Sequence, residues 1–142
     1  MDLDMEYLLE QLKAVMAIDS PTGYTKNAAE YVCGEYRRLG FDARLTGTGG
    51  VLVCLNPDAP EDNGLLLMAH LDTLGGMVAE VTGTGRLRLT ALGGMQPNNG
   101  EAENVRIITR EGKTYSGTFQ LKDASVHVNG DYAATSRTWD SM

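Results

Sequence analysis

The sequence has few basic residues for its size. Its 142 residues include 12 Lys and Arg against 19 Asp and Glu, which gives a formal net charge of −7. A nucleic-acid groove or a surface for anionic membranes requires clustered basic side chains. Here they are scattered, and Arg37-Arg38 is the densest pair. We therefore predict that neither nucleic acid nor a membrane is a partner.

Long apolar runs are also lacking. The run from Leu65 to Ala69 holds five consecutive apolar residues, whereas a membrane-spanning helix requires about 20. The first six residues, Met-Asp-Leu-Asp-Met-Glu, carry acidic side chains and no basic one, where a secretory signal would be basic and then apolar. On this basis we predict a cytoplasmic protein.

Cysteine and histidine are scarce, with two of each. Cys33 and Cys54 form neither a CxxC pair nor a Cys/His cluster, and we interpret both as buried, reduced thiols. Residues 125–128, Ser-Val-His-Val, have a strand pattern, so we interpret His127 as a structural or interface residue. His70 remains as the histidine to consider for chemistry.

The first half of the chain has the pattern of an α/β layer. Apolar residues spaced by three and four predict helices over residues 4–17 and 25–39, separated by a turn at Pro21 and Gly23. Asp2 or Asp4 could cap the first helix. Strands are predicted over residues 41–45, 51–55 and 64–69, and the last is apolar at nearly every position, as is typical of a strand buried on both faces.

The pattern changes near Gly75, where helical periodicity ends. Two hairpins are predicted, the first from residues 77–81 and 86–90, the second from residues 104–109 and 114–121. Glu101 and Glu103, in the loop between the hairpins, are interpreted as a solvated face. The sequence therefore indicates an α/β part followed by a β-rich part.

His70 and Asp72 are the candidate site residues. They follow the apolar run 65–69, and ligands collect beyond the carboxyl ends of strands in open α/β sheets. His70 could serve there as a neutral metal ligand. Asp72, two residues on, would lie on the same side of an extended chain and could hold the imidazole Nδ1–H. An HxD triplet is a weak signal by itself, and a His at a strand end is more often a surface residue.

The triplet is one of several motifs that follow each other along the chain, namely Ser20-Pro21-Thr22-Gly23-Tyr24, Ala69-His70-Leu71-Asp72-Thr73-Leu74-Gly75, Gly85-Arg86-Leu87-Arg88-Leu89 with Gly93-Gly94, Gly112-Lys113-Thr114-Tyr115-Ser116-Gly117, and Ala124-Ser125-Val126-His127-Val128. Several motifs in the same order are far more specific than any one of them. With them the sequence resembles the tetrahedral aminopeptidases, cobalt- or zinc-dependent metallopeptidases that include glutamyl and deblocking aminopeptidases. The resemblance runs over nearly the whole chain.

The resemblance implies an α/β/α peptidase domain interrupted by a small, barrel-like β domain used for dimerisation. Residues 1–75 would be the N-terminal part of the peptidase domain, and residues 76–142 the inserted β-rich domain, possibly incomplete. His70 would bind one of two divalent metal ions (Zn or Co), and Asp72 would orient it. The other ligands and a general-base Glu would lie beyond Met142, so we expect this chain to be a fragment that is inactive alone.

Two alternatives remain open at this point. The chain could be a non-catalytic oligomerisation or binding module, or it could come from a related zinc carboxypeptidase or deacylase, which share an HxD triplet at a strand end. The β-rich stretch directly after Gly75 favours the aminopeptidase hypothesis. That hypothesis implies a peptide substrate and a homo-oligomer that assembles through the β-rich domain.

Overall fold

A computed structural model describes residues 3–58 and 64–142. In these residues the elements are α1 (Met5–Met16), α2 (Lys26–Arg38), β1 (Asp42–Leu45), β2 (Val51–Cys54), β3 (Gly75–Val81), β4 (Leu87–Leu92), a short 3₁₀ turn (Pro97–Asn99), β5 (Asn104–Ile108) and β6 (Thr114–Thr118). The chain divides into two compact units, Met1–Leu74 and Gly75–Met142.

Both predicted helices are confirmed. Asp4 is the N-cap of α1, and its carboxylate accepts a 3.0 Å hydrogen bond from the Tyr7 backbone N–H. The apolar face of α2 is buried through Ala28, Ala29 and Cys33. These small side chains allow α2 to pack closely on the β1–β2 hairpin, where Ala43 is also buried. The core of the first unit therefore lies between α2 and this hairpin.

The strand predicted over residues 64–69 is not confirmed. Residues 64–72 belong to no sheet of the described chain, and four consecutive side chains there are largely exposed, namely Leu65, Leu66, Leu67 and Met68. The prediction was wrong for a physical reason. An apolar run indicates a preference for burial, but a strand also requires hydrogen-bonded neighbours, and none of the described residues pairs with this run.

The second unit is built from two antiparallel hairpins, as predicted. β3 pairs with β4 and β5 pairs with β6, and each pair closes through a glycine-containing turn. Phe119 and Leu121 are buried after β6, and the Trp139 ring lies 5.7 Å from the Phe119 ring. The described residues form three separate two-stranded sheets, including β1–β2, and they do not close the barrel that we expected.

Three local interpretations require correction. His127 lies in a turn rather than a strand. Cys54 is exposed, whereas Cys33 is buried as expected, and both are free thiols. Glu101 does not belong to a solvated face, because its half-buried side chain pairs with Arg137. Among the described residues, no helix is long and apolar enough to cross a membrane.

Candidate metal centre

His70 lies in a segment of the first unit that belongs to no helix or sheet of the described residues. Its side chain is 86% exposed. Among the described residues, the ring is held at Nδ1, which lies 2.9 Å from the backbone carbonyl oxygen of Asp72 and 3.2 Å from Oδ1 of the Asp72 carboxylate. Two acceptors at Nδ1 favour the neutral tautomer that carries its proton there. Nε2, the nitrogen with the free lone pair in that tautomer, is then available to a metal ion.

Asp72 has a second partner on its other oxygen. The Thr22 hydroxyl donates a 2.7 Å hydrogen bond to Asp72 Oδ2. This hydrogen bond holds the pKa of the Asp72 carboxyl below its ordinary value, although partial desolvation opposes it, and the contact with the neighbouring imidazole lowers the pKa to a smaller extent. Asp72 is therefore a carboxylate at neutral pH, the form that accepts hydrogen bonds from both His70 and Thr22.

The loop between α1 and α2 brings Thr22 to this position. Pro21 stops the helical pattern and forms an isolated parallel bridge with Thr73, and the Thr73 backbone N–H donates a 2.7 Å hydrogen bond to the Ser20 carbonyl. Gly23 adopts a φ of +88°, which a residue with a side chain rarely accepts, and so completes the turn. The loop is thus attached to the chain directly after Asp72.

The donor set fits one part of a metal site. A neutral imidazole with an exposed Nε2 is a common zinc or cobalt ligand. A catalytic zinc requires about three protein ligands, and residues 3–58 and 64–142 contain no group of three or more His, Cys, Asp or Glu side chains placed to hold a metal ion. His70 therefore fits as one ligand of a shared site, and the described residues do not complete that site.

The structure brings the two candidate residues named from the sequence, His70 and Asp72, into contact. Sequence reasoning missed Thr22, which lies 50 residues before its partner. From the sequence, the Ser20-Pro21-Thr22 stretch was interpreted as a turn and as part of a family motif, and no contact with Asp72 was predicted. No sequence pattern relates a threonine in a turn to a carboxylate 50 residues away. The hydrogen bond from Thr22 to Asp72 could therefore be found only in the tertiary structure.

Comparison with known proteins finds one matching family model and several curated relatives. The model of the family described as M42 glutamyl aminopeptidase matches residues 49–142, which include His70 and Asp72. A Bacillus subtilis (strain 168) protein named "Putative aminopeptidase YhfE" is 34% identical over 134 residues, which cover 94% of this chain and 38% of that protein.

Two more distant relatives have names that state an activity. The "Glutamyl aminopeptidase" of Lactococcus lactis subsp. cremoris (strain MG1363) is 26% identical over 106 residues, which cover 75% of this chain and 30% of that protein. The "Lysyl aminopeptidase" of Pyrococcus furiosus is 24% identical over 107 residues, with the same two shares. The chain thus spans between 30% and 38% of the length of these curated relatives.

Proposed function

The chain belongs to the M42 glutamyl aminopeptidase family, and on that premise we propose that it forms part of a metal-dependent aminopeptidase that removes N-terminal residues from peptides. The observation that carries this proposal is the orientation of His70. Its Nδ1 faces two oxygens of Asp72, and its side chain is otherwise exposed. A histidine arranged in this way is suited to metal binding through Nε2.

The roles of the two residues follow from their contacts. His70 would hold one of two divalent ions, Zn or Co, and Asp72 would fix the tautomer and the ring orientation that the ion requires. When bound, such ions supply an activated water and polarise the scissile carbonyl. The described residues contribute the position of one imidazole, and the remaining ligands would come from outside them. We therefore expect the 142-residue chain alone to be inactive.

We assign different roles to the two units. Residues 1–75, which carry His70 and Asp72, would be the N-terminal part of the peptidase domain. Residues 76–142 would belong to an inserted β-rich domain that assembles subunits into a homo-oligomer. Support comes from the hairpins of the second unit and from the division of the chain into two compact units, Met1–Leu74 and Gly75–Met142. Deletion of residues 76–142 from the complete gene product should lower its mass in multi-angle light scattering to that of a monomer, and an unchanged oligomer would refute this assignment.

The test of the function uses the complete gene product that contains this chain. His70→Ala should abolish hydrolysis of aminoacyl p-nitroanilides and lower the bound Zn or Co measured by mass spectrometry. His127→Ala is the matched control, because His127 is the other histidine of the chain and lies in a turn of the second unit. Retention of activity and of metal in His70→Ala would overturn the proposal.

A further inference from the structure

The loop between α1 and α2 contacts the candidate site through the side chain of Thr22. Thr22 Oγ1 donates a 2.7 Å hydrogen bond to Asp72 Oδ2, while Oδ1 of the same carboxylate lies 3.2 Å from His70 Nδ1. The two oxygens of Asp72 therefore face two different partners. Rotation of the carboxylate about its Cβ–Cγ bond would break both contacts together.

The backbone around Thr22 limits its freedom to move. The Tyr24 backbone N–H donates a 2.7 Å hydrogen bond to the Pro21 carbonyl, which closes the turn that contains Thr22. On the other side, the bridge between Pro21 and Thr73 and the hydrogen bond from Thr73 N–H to the Ser20 carbonyl join the loop to the chain beyond Asp72. The backbone that carries the Thr22 hydroxyl is thus fixed both by the turn hydrogen bond and by the contacts with Thr73.

We infer that Thr22 is a positioning residue of the metal centre, one that acts on His70 through Asp72 and so raises the metal affinity of the imidazole. This inference rests on the function proposed above. The His70 side chain is 86% exposed, and within residues 3–58 and 64–142 its side-chain partner is Asp72, so little else restrains the ring. When the carboxylate is held by Thr22, the imidazole loses less rotational freedom on binding a metal ion.

The backbone carbonyl of Asp72 limits how much metal affinity should be lost when the Thr22 hydroxyl is removed. It lies 2.9 Å from His70 Nδ1 and stays in place when the carboxylate moves. Loss of the Thr22 hydroxyl should therefore weaken the restraint on the ring without removing it. Loss of a partner that orients a metal ligand typically lowers metal affinity by about 10–100-fold. We expect the loss of affinity in Thr22→Val to be about tenfold, at the lower end of that range.

Three variants of the complete gene product test the inference. Thr22→Val keeps the shape of the side chain and removes the hydroxyl, and Thr22→Ser keeps the hydroxyl. Thr25→Val is the matched control, because the Thr25 hydroxyl makes no capping hydrogen bond to α2 in the described structure. Each metal-free protein is titrated with Co²⁺ alone, and the visible absorption of the bound ion reports both affinity and coordination. Circular dichroism confirms that each variant is folded.

We expect Co²⁺ affinity to fall about tenfold in Thr22→Val, to be restored in Thr22→Ser, and to be unchanged in Thr25→Val. Unchanged affinity in Thr22→Val, or equal losses in the Val and Ser variants, would overturn the inference. If Thr22→Val does not fold, Thr22→Ala takes its place in the same comparison. His70→Ala separates the two proposals: if it binds Co²⁺ as the wild type does, the proposed function fails, whereas weaker binding in His70→Ala with no effect of Thr22→Val refutes only the role of Thr22.

Discussion

The guanidinium group of Arg137 donates two parallel hydrogen bonds to the carboxylate of Glu101, which lies 36 residues earlier in the sequence. Its Nε lies 2.8 Å from Glu101 Oε2 and its Nη2 lies 3.0 Å from Oε1. The Tyr132 hydroxyl donates a third hydrogen bond to the same carboxylate, and the side chains of the pair are only 17–20% exposed. A two-point guanidinium–carboxylate contact of this kind holds both groups in a defined geometry. It joins the loop after the 3₁₀ turn to the last residues of the second unit.

This ion pair should make the stability of the protein depend on acid pH. The hydrogen bonds from Arg137, and then that from Tyr132, hold the pKa of Glu101 below its ordinary value of 4.5. A carboxyl with a lowered pKa in the folded state contributes stability above the unfolded pKa and loses it as pH falls through the folded pKa. The Tm of the wild type should therefore fall more steeply below about pH 4.5 than that of Glu101→Gln.

Thermal unfolding followed by circular dichroism between pH 7 and pH 3 checks this expectation. Glu103→Gln is the matched control, because Glu103 is an exposed carboxylate two residues away, and its Tm profile should keep the steep acid limb of the wild type. Parallel profiles for the wild type and Glu101→Gln would show that the pair contributes no pH-dependent stability.

Removal of the Asp72 carboxylate should weaken metal binding. Asp72→Ala leaves His70 Nδ1 with the backbone carbonyl at 2.9 Å as an acceptor but removes the carboxylate at 3.2 Å. We expect the Zn²⁺ affinity of the complete gene product to fall about 10–100-fold, measured by competition with a chromophoric chelator. Wild-type affinity in this variant would mean that the carbonyl alone orients the ring.

Ser20 offers a test of a buried hydroxyl. Its side chain is 2% exposed, and its Oγ has no hydrogen-bond partner in the described structure. A buried polar atom without a partner costs about 1–3 kcal/mol, so Ser20→Ala should leave the free energy of unfolding in urea unchanged or raise it by up to about 1 kcal/mol. A loss of more than about 1 kcal/mol would show that the hydroxyl has a partner, for example a bound water.

Packing against Phe119, rather than the φ angle, opposes a side chain at Gly100. A Cβ at this position would lie 2.7 Å from Met95 Cε, the terminal methyl of a flexible side chain that can turn away, and 3.0 Å from Cδ1 of the buried Phe119 ring. Overpacking of this kind costs about 1–3 kcal/mol, so Gly100→Ala should lower the free energy of unfolding by about that amount.

The matched control for Gly100 is Gly94→Ala. A Cβ at Gly94 would meet no atom within 4 Å among residues 3–58 and 64–142. If both variants unfold at the same urea concentration as the wild type, Met95 and Phe119 move aside at little cost and the packing argument fails.

The elements that were predicted correctly form through interactions between residues that are close together in the sequence. Both helices follow from apolar residues spaced by three and four, and Asp4 caps the first because its carboxylate reaches a backbone N–H three residues on. The hairpins of the second unit follow from alternating residues on either side of glycine-containing turns. The HxD triplet is local as well, and the contact between His70 and Asp72 spans two residues.

The features that sequence reasoning missed depend on partners far along the chain. The apolar run at residues 65–69 predicted a buried strand over residues 64–69, yet a strand requires a hydrogen-bonded neighbour, which the described residues do not supply. The hydrogen bond between Thr22 and Asp72 joins residues that are 50 positions apart in the sequence, and the ion pair of Glu101 and Arg137 joins residues that are 36 positions apart. Residue type and spacing determined the helices, the hairpins and the candidate ligand. Only the tertiary structure decided which distant side chain faces each carboxylate, because that choice depends on how the chain returns on itself.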